Sequence, residues 1–278
     1  MALTFTPEIW SAMMLESQKK ALVFGQPSVV NRDYEGEIKV QGDSVRIRSI
    51  SRPTISSYSK NGTLTYETLT DAQRMLTVDQ AKSFSFVVDD IDKAQQPGGT
   101  LEGALTEAVY GLRDVADQFI AALYTGAQSA NQIGTVSVTT AALAYTQLRK
   151  LAVKLDEANV PNEGRYVVVP PWYHGLLLED DRFVRVDASG SDQALRNGIV
   201  GRALGFDVLK SNNAPFVTGD DYAVIAGHPS AISYAEQINE IETIRLQTTF
   251  GTAVRGLFLY GAKLVRPDSI ATVVASQT

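Results

Sequence analysis

Cysteine is absent from the 278-residue sequence, and histidine occurs only twice, at His174 and His228. The lack of cysteine excludes disulfide bonds, thiolate metal sites and cysteine nucleophiles, and it favours folding in a reducing cytoplasm. Neither histidine has a metal ligand four residues further on, and neither accompanies a serine in a G-x-S-x-G context. We therefore expect structural roles for both histidines.

Long apolar runs and basic clusters are also missing. No stretch approaches the roughly 18 apolar residues of a membrane helix, and the N-terminus lacks the basic-then-apolar order of a secretory signal. We therefore expect a soluble chain that has no membrane partner. The net charge is −6, and the longest basic run is Lys19-Lys20. Because nucleic-acid binders usually carry a basic patch, sequence-specific DNA binding is not expected.

A glycine-rich stretch runs from Gly198 to Pro215, with further glycines at Gly201 and Gly205. A dinucleotide site needs G-x-G-x-x-G between a strand and a helix, and the spacing here is different. No phosphate-binding G-x-x-x-x-G-K-[ST] motif occurs anywhere in the chain. The sequence implies no cofactor and no metal, although a nucleotide-binding α/β enzyme using Gly198–Gly205 stays open as an alternative.

Helical periodicity predicts a long helix over residues 100–125. Thr100 supplies an N-cap after Pro97-Gly98-Gly99, and Gly126 ends the pattern. A helix of this length can act as a spine for the domain. Its predicted apolar stripe consists of Leu101, Leu105, Ala108, Leu112, Val115, Phe119 and Leu123.

Three shorter helices are predicted. Two cover residues 140–159, with Leu143, Leu148, Leu151 and Leu155 as apolar positions, and residues 171–178. The third follows Thr6-Pro7 and places Trp10 on its apolar face. This N-terminal helix either packs on its own domain or docks on a neighbouring subunit.

Between residues 34 and 92 the apolar period changes to two, which indicates half-buried strands. Asn61-Gly62 is a strong hairpin-turn signal in this region, and its arms are too polar to bury much surface alone. The last third of the chain is also rich in strands. The predicted strands cover residues 37–40, 44–50, 63–67, 83–86, 165–169, 222–226, 242–247, 254–260, 262–265 and 270–274. Interleaved helices and strands without a regular βαβ rhythm predict an α+β fold.

The order of these parts resembles the major capsid (coat) proteins of tailed bacteriophages, which share the Hong Kong ninety-seven capsid fold. The likeness covers essentially the whole chain. It rests on Val30–Tyr34, the strands around Asn61-Gly62, the helix over 100–125, Arg165–Pro170 and Tyr260–Asp268. Residues 198–208, followed by Ser211, Asn212 and Pro215, resemble a coat-protein segment in which glycines shape tight turns rather than bind phosphate.

The resemblance implies a phage capsid fold with four parts. These are an N-terminal arm, an extended E-loop β-hairpin, a peripheral (P) domain with a long spine helix, and an axial (A) domain with a central mixed sheet. The corresponding boundaries are 1–33 for the arm, 34–92 for the E-loop, 93–139 with 250–278 for the P domain (spine helix 100–125), and 140–249 for the A domain.

The implied function is a structural one without enzymatic activity. Copies of the chain are expected to form hexamers and pentamers of an icosahedral shell that encloses double-stranded DNA without binding it sequence-specifically. The short segment before the first strand implies a separate scaffolding protein, and portal and decoration proteins are further expected partners. The expected location is the virion, with the host cytoplasm during assembly. A nanocompartment shell that houses a cargo enzyme is an alternative within the same fold.

The resemblance also implies assembly residues. Lys60, Asn61 and Gly62 form the expected E-loop tip, Gly98 and Gly99 the hinge before the spine helix, and Trp10 the docking residue of the arm. Some family members cross-link through an E-loop lysine, which makes Lys60 a candidate by its position. A solvated lysine beside a turn asparagine explains the same residues.

Overall fold

The computed structural model describes residues 23–34, 44–50, 55, 57, 60, 71–89, 100–180, 202–246 and 250–278. Its α-helices are α1 (Thr100–Ala122), α2 (Ala141–Glu157) and α3 (Pro171–Leu178). Its strands are β1 (Ser44–Ile50), β2 (Asp71–Thr77), β3 (Gln80–Asp89), β4 (Gln132–Ser137), β5 (Tyr166–Val169), β6 (Arg202–Ala203), β7 (Phe206–Lys210), β8 (Asp221–Gly227), β9 (Ile232–Arg245), β10 (Gly251–Leu264) and β11 (Ile270–Ser276).

Helices α1 and α2 confirm the predicted helical periodicity, but in each of them one residue of the predicted apolar stripe is exposed. In α1, which a 3₁₀ turn over Leu123–Gly126 extends, the buried apolar positions are Val109, Leu112, Ala116, Ile120 and Ala121. Val115 was predicted to be buried and is 38% exposed. In α2, whose N-terminus Thr140 caps by accepting from the Leu143 N–H, Leu143 is exposed and Ala144 takes its place in the core.

A six-stranded mixed sheet forms the centre of the fold, in the order β4-β11-β8-β5-β7-β6. Its side chains alternate between two buried faces, so it is covered on both sides as a three-layer structure. One face packs in the same core as α1 through Tyr166, Val168, Ile225 and Ile270. The other packs in the core of α2 and α3 through Val167, Val169, Val224, Ala226, Ala271, Val273 and Ala275.

A second, three-stranded antiparallel sheet has the order β3-β10-β9. Its inner face packs in the α1 core through Phe84, Phe86, Val254, Phe258 and Tyr260, and Phe119 of α1 meets the Tyr260 ring edge-on at 5.4 Å. The antiparallel β1–β2 hairpin covers part of the outer face, where Ile47, Leu76 and Val78 pack with Ala235 and Leu259.

The two sheets are joined where β8 passes into β9 and where β10 passes into β11. Each crossing is a single 3₁₀ turn, over Pro229–Ala231 or Pro267–Ser269. The N–H groups of Val265 and Arg266 both donate to the Ala231 carbonyl, at 2.8 and 3.1 Å. These bonds pair backbone groups that would be costly to bury alone, and they fix the two crossings side by side.

The glycine-rich stretch contains a tight hairpin between β6 and β7. Its two turn residues, Leu204 and Gly205, have φ values of +52° and +84°, as a primed hairpin turn requires. The pairing of Arg202 with Asp207 is reinforced by an ion pair of 2.7 Å. Gly205 therefore shapes a turn, as expected; Gly198 and Gly201 lie outside the described residues.

Several predicted strands fall within longer ones. Residues 44–50, 165–169, 222–226 and 270–274 are confirmed to within three residues at either end, and 83–86 lies inside β3. The predicted strands 254–260 and 262–265 fall in one continuous strand, β10, which ends at Leu264. The predicted strand 242–247 overlaps the end of β9, which begins at Ile232 and ends at Arg245; Gln247 lies outside the described residues. The predictions over 37–40 and 63–67 and of the N-terminal helix lie outside the described residues.

The sheets cross the predicted division between P and A domains. β9, within the stretch assigned to the A domain, pairs with β10, which was assigned to the P domain. β4 and β11, both within the stretches predicted as the P domain, belong to the same six-stranded sheet as β5, β7 and β8, which lie in the stretch predicted as the A domain. The chain thus passes from one sheet to the other and back within residues 221–276.

Gly261 lies where the turn after β2 crosses the outer face of β10. A methyl group on Gly261 would overlap the Thr77 carbonyl and lie 2.9 Å from Val78 Cα. Because these are backbone atoms, Gly261→Ala should lower the free energy of unfolding by about 2 kcal/mol or more. Gly111→Ala is the matched control: Gly111 lies in α1 with open space around it, so alanine should raise stability by about 0.5–1 kcal/mol. Urea denaturation of both variants tests this pair, and equal effects would contradict it.

Tyr166 and Tyr173 are both fully buried, but they differ in whether the hydroxyl has a hydrogen-bond partner. The Tyr173 hydroxyl donates to the Ala144 carbonyl at 2.7 Å, whereas the Tyr166 hydroxyl has no partner among the described residues. We expect Tyr173→Phe to cost about 1 kcal/mol of unfolding free energy. Tyr166→Phe should be neutral or stabilising, since it removes a buried polar group that gains nothing. Thermal unfolding of the two variants decides the matter; a larger loss in Tyr166→Phe than in Tyr173→Phe would refute the expectation.

Candidate functional site: an exposed apolar sheet end and a docked N-terminal segment

The outer face of the three-stranded sheet carries side chains in cross-strand rows. Strand pairing aligns Val87, Ala253 and Ile244 in one row, and residues opposite one another project to the same face. Val87 is 57% and Ile244 40% exposed. Phe250, which directly precedes β10 at this end of the sheet, is 80% exposed. We call Val87, Ile244 and Phe250 the sheet-end patch.

The next rows along the same face are more polar. Arg255 Nε donates to Glu242 at 2.8 Å, and both side chains are exposed, so this ion pair contributes little to stability. A shallow cavity of about 320 Å³ lies beside it, lined in part by Ser83, Ser85 and Leu257. Apolar side chains at the sheet end, with a polar row behind them, have the composition of a protein-interaction surface.

Residues 23–34, which we call the strap, are docked on the body of the protein. Phe24, Val29 and Val30 are buried in the same core as α1. Asn31 forms a parallel bridge beside β9: its N–H donates to the Ile232 carbonyl at 2.8 Å, and the Tyr234 N–H donates to the Asn31 carbonyl at 2.9 Å. The strap therefore adds to the edge of the three-stranded sheet.

A buried carboxylate holds each end of the strap. At its start, Asp117 of α1 accepts hydrogen bonds from the N–H groups of Val23 and Phe24, at 3.0 and 2.8 Å. At its other end, Arg32 forms an ion pair of 2.7 Å with Glu236, whose side chain is only 2% exposed. The Tyr234 hydroxyl also donates to Glu236, at 2.8 Å, and the Arg32 guanidinium lies over the Tyr234 ring.

Asp117 also binds a third part of the chain. Its second oxygen accepts from the Asn213 side-chain amide at 3.0 Å, in the loop that follows β7. Asp117 is 3% exposed. Burial raises the pKa of this carboxyl, and the hydrogen bonds that it accepts offset the effect only in part.

Of the sequence-predicted assembly residues, the structure describes only Lys60, which lies in a turn and is exposed. Trp10, Asn61, Gly62, Gly98 and Gly99 lie outside the described residues. The arrangement of these residues is therefore not tested by the described part of the chain. Their roles stay predictions.

The two histidines lie in partly buried surroundings, and His228 has a structural role in its turn. His228 Nδ1 accepts from the Ser230 N–H at 3.2 Å and caps the turn over Pro229–Ala231. Burial lowers the pKa of His228, and it does the same for His174, where nearby Lys210 adds to the effect. Within the described ranges, acidic and histidine side chains form no group of three that could hold a metal ion. None of the helices in those ranges has both the length and the apolar character needed to cross a membrane.

Sequence reasoning missed Asp117 and the pair Arg32–Glu236. The only available signal for Asp117 was its place beside Ala116 in the buried phase of an apolar stripe, where a charged residue needs a partner. Its partners are 93 or more residues away in the sequence. Val87 and Ile244 of the sheet-end patch lie in strands with the ordinary alternation of half-buried strands, so the sequence pattern did not mark them as exposed.

The comparisons with known proteins agree on one class. Residues 71–273 match the family model for phage capsid proteins. A chain of Mycobacterium phage Che8 is 33% identical over 92% of this chain and 91% of its own, with a TM-score of 0.76. The cyanophage P-SCSP1u capsid structure is 18% identical, covers 93% and 89%, and has a TM-score of 0.75. For the bacteriophage PhiM1 mature capsid these values are 18%, 89%, 88% and 0.69. The comparison with curated proteins gives no match.

These likenesses extend over nearly the whole fold, from the outer sheet and the long helix α1 to the three-layer centre. They define the class as the shell-forming proteins with the capsid fold of tailed phages. The chain belongs to the phage capsid protein family. It is a structural subunit of a phage head, it assembles with copies of itself into a capsid shell, and its location is the virion capsid.

The raised pKa of Asp117 predicts a pH dependence that an isosteric amide removes. A raised folded-state pKa means that the folded chain takes up a proton while the unfolded chain, with an ordinary value of 3.8, is still ionised. Stability from this group therefore increases as the pH falls from 7 through the raised pKa. We expect the difference in unfolding free energy, wild type minus Asp117→Asn, to increase as the pH is lowered from 7 to 4. Urea titrations at four pH values measure it, and a difference that falls toward low pH would contradict the expectation.

Proposed function

We propose that this capsid subunit builds an icosahedral phage head from hexamers and pentamers that enclose double-stranded DNA. The sheet-end patch is the observation that carries the proposal: Val87, Ile244 and Phe250 expose apolar surface at one end of a sheet whose inner face packs in the α1 core. A monomer gains nothing from this exposure, whereas a neighbouring copy can bury it. The chemistry is association, without an enzymatic step.

The domain roles follow the sheets. We propose residues 1–33 as the N-terminal arm and 34–92 as the E-loop region. The P domain consists of α1 and β10. It also includes β9, because β9 pairs with β10 along its length. The A domain is the six-stranded sheet with α2 and α3, including β4 and β11.

The untested assembly residues keep their proposed roles. Lys60, Asn61 and Gly62 form the E-loop tip that lies on a neighbouring subunit, with Lys60 available for a covalent cross-link. Gly98 and Gly99 provide the hinge before α1, and Trp10 docks the arm. The exposed turn at Lys60 supports the first of these roles.

The proposed partners are a separate scaffolding protein, a portal protein and a decoration protein. Assembly takes place in the host cytoplasm. A net charge of −6 keeps the inner wall from gripping the enclosed DNA tightly, because like charges repel. DNA is therefore contained by the shell and not recognised by sequence.

Substitutions in the sheet-end patch should prevent assembly without unfolding the subunit. In the double variant Val87→Ser/Phe250→Ser, we expect the yield of closed particles to fall about tenfold or more, since central apolar anchors each contribute about 2 kcal/mol to an interface. The urea midpoint should stay close to that of the wild type, since exposed substitutions change stability by about 0.5 kcal/mol. Val153→Ser is the matched control, because Val153 is 47% exposed on α2 and outside the patch.

Size-exclusion chromatography and negative-stain electron microscopy, with and without the scaffolding protein, measure the particles. Closed shells in the wild type and the control, but not in the double variant, support the proposal. A wild-type chain that stays monomeric or dimeric under all conditions would overturn it. Particles that contain a cargo protein rather than DNA would favour a nanocompartment shell, and stabilisation by a nucleotide would favour an enzyme.

A further inference from the structure

Asp117 accepts hydrogen bonds from two parts of the chain that lie far apart in the sequence. One carboxylate oxygen accepts from the backbone of the strap at Val23 and Phe24, and the other accepts from Asn213. The strap and Asn213 are thus joined through a single side chain in the middle of α1.

Asn213 belongs to a loop over residues 211–220, which we call the tip loop. Three backbone bonds hold this loop as one unit: Ser211 N–H to the Val169 carbonyl, Val217 N–H to the Asp221 carbonyl, and Ala223 N–H to the Pro215 carbonyl. The loop presents Phe216, which is 61% exposed and meets the Tyr222 ring edge-on at 5.7 Å. Asn213 lies three residues before this exposed aromatic side chain, within the same loop.

The shared carboxylate makes the two attachments depend on each other. A buried carboxylate that loses one of its donors must be rehydrated or protonated, and its remaining bonds then form in contact with water, where they are weaker. A cavity of about 220 Å³ lies beside Asp117, lined by Val23, Tyr110, Arg113, Lys210 and Asn213 among others. Water can enter at this point once either the strap or the tip loop moves.

We propose that Asp117 couples the seating of the strap to the position of the tip loop, so that the two segments dock and release together. Asp117 is thus a positioning residue for two segments, the strap and the tip loop. Helix α1, which carries Asp117, is the rigid element between them. This inference rests on the proposed function only for its biological meaning. In a shell subunit, it would connect events at the N-terminal arm to the exposed end of the A domain.

Hydrogen exchange of the purified, unassembled full-length chain tests the coupling. In Asn213→Ala, we expect the Val23 and Phe24 amides to exchange about 3- to 10-fold faster, although both amides keep their acceptor; contacting residues in one network usually couple to this extent. By reciprocity, Phe24→Ala should speed exchange in residues 211–221 by a similar factor. Gln118→Ala is the matched control, because Gln118 is the exposed neighbour of Asp117 and its side-chain amide donates to Asp114, one turn earlier in α1.

Two variants at position 117 complete the test. Asp117→Ala should accelerate exchange in both segments, whereas Asp117→Asn should restore protection in both, because its oxygen still accepts from the strap and its amide can donate to Asn213 after a flip of that side chain. Effects confined to the segment that carries each substitution would overturn the coupling. Since no particle is needed for this measurement, a failure to form shells would count against the proposed function alone.

Discussion

The fold depends on the junction at which the chain crosses twice between the two sheets, from β8 to β9 and from β10 to β11. Paired N–H groups of Val265 and Arg266 share the Ala231 carbonyl, and this places the two crossings next to each other. With the crossings fixed, β8 and β11 enter the central sheet as neighbours, and β9 and β10 leave together as a long hairpin. The inner face of that hairpin meets α1, so its outer end is left exposed. Val87 and Ile244 of the sheet-end patch lie on the face of this sheet that points away from α1.

Elements with local signals were predictable from sequence. α3 matches its predicted bounds because proline starts the helix at Pro171, and β5 is marked by an unbroken run of valines. In α2, the approximate bounds and most of the apolar stripe were evident, but the choice of Ala144 over Leu143 for the core depends on the space beneath α2. The length of β10 was underestimated because Gly261 divides the apolar pattern, and its role as a point of close approach appears only in three dimensions.

The candidate site was much less accessible to sequence reasoning. Its carboxylates, Asp117 and Glu236, act on partners that lie far away in the sequence, and no motif spacing encodes such contacts. The exposed apolar residues Val87 and Ile244 fit the alternation of ordinary strands, so only the structure shows that nothing in the described part of the chain covers them. The fold class, by contrast, was evident from the order of the elements, because that order depends on many weak local signals that agree.

The position of β11 has a consequence for the time course of folding. β11 lies between β4 and β8 in the central sheet, and its parallel partner β4 precedes it by more than 130 residues. Because non-local pairing is slow, and because β11 is the last described strand to leave the ribosome, β4 cannot join the sheet until synthesis has passed residue 276. A nascent chain therefore cannot complete the six-stranded sheet before its last described strand has been synthesised.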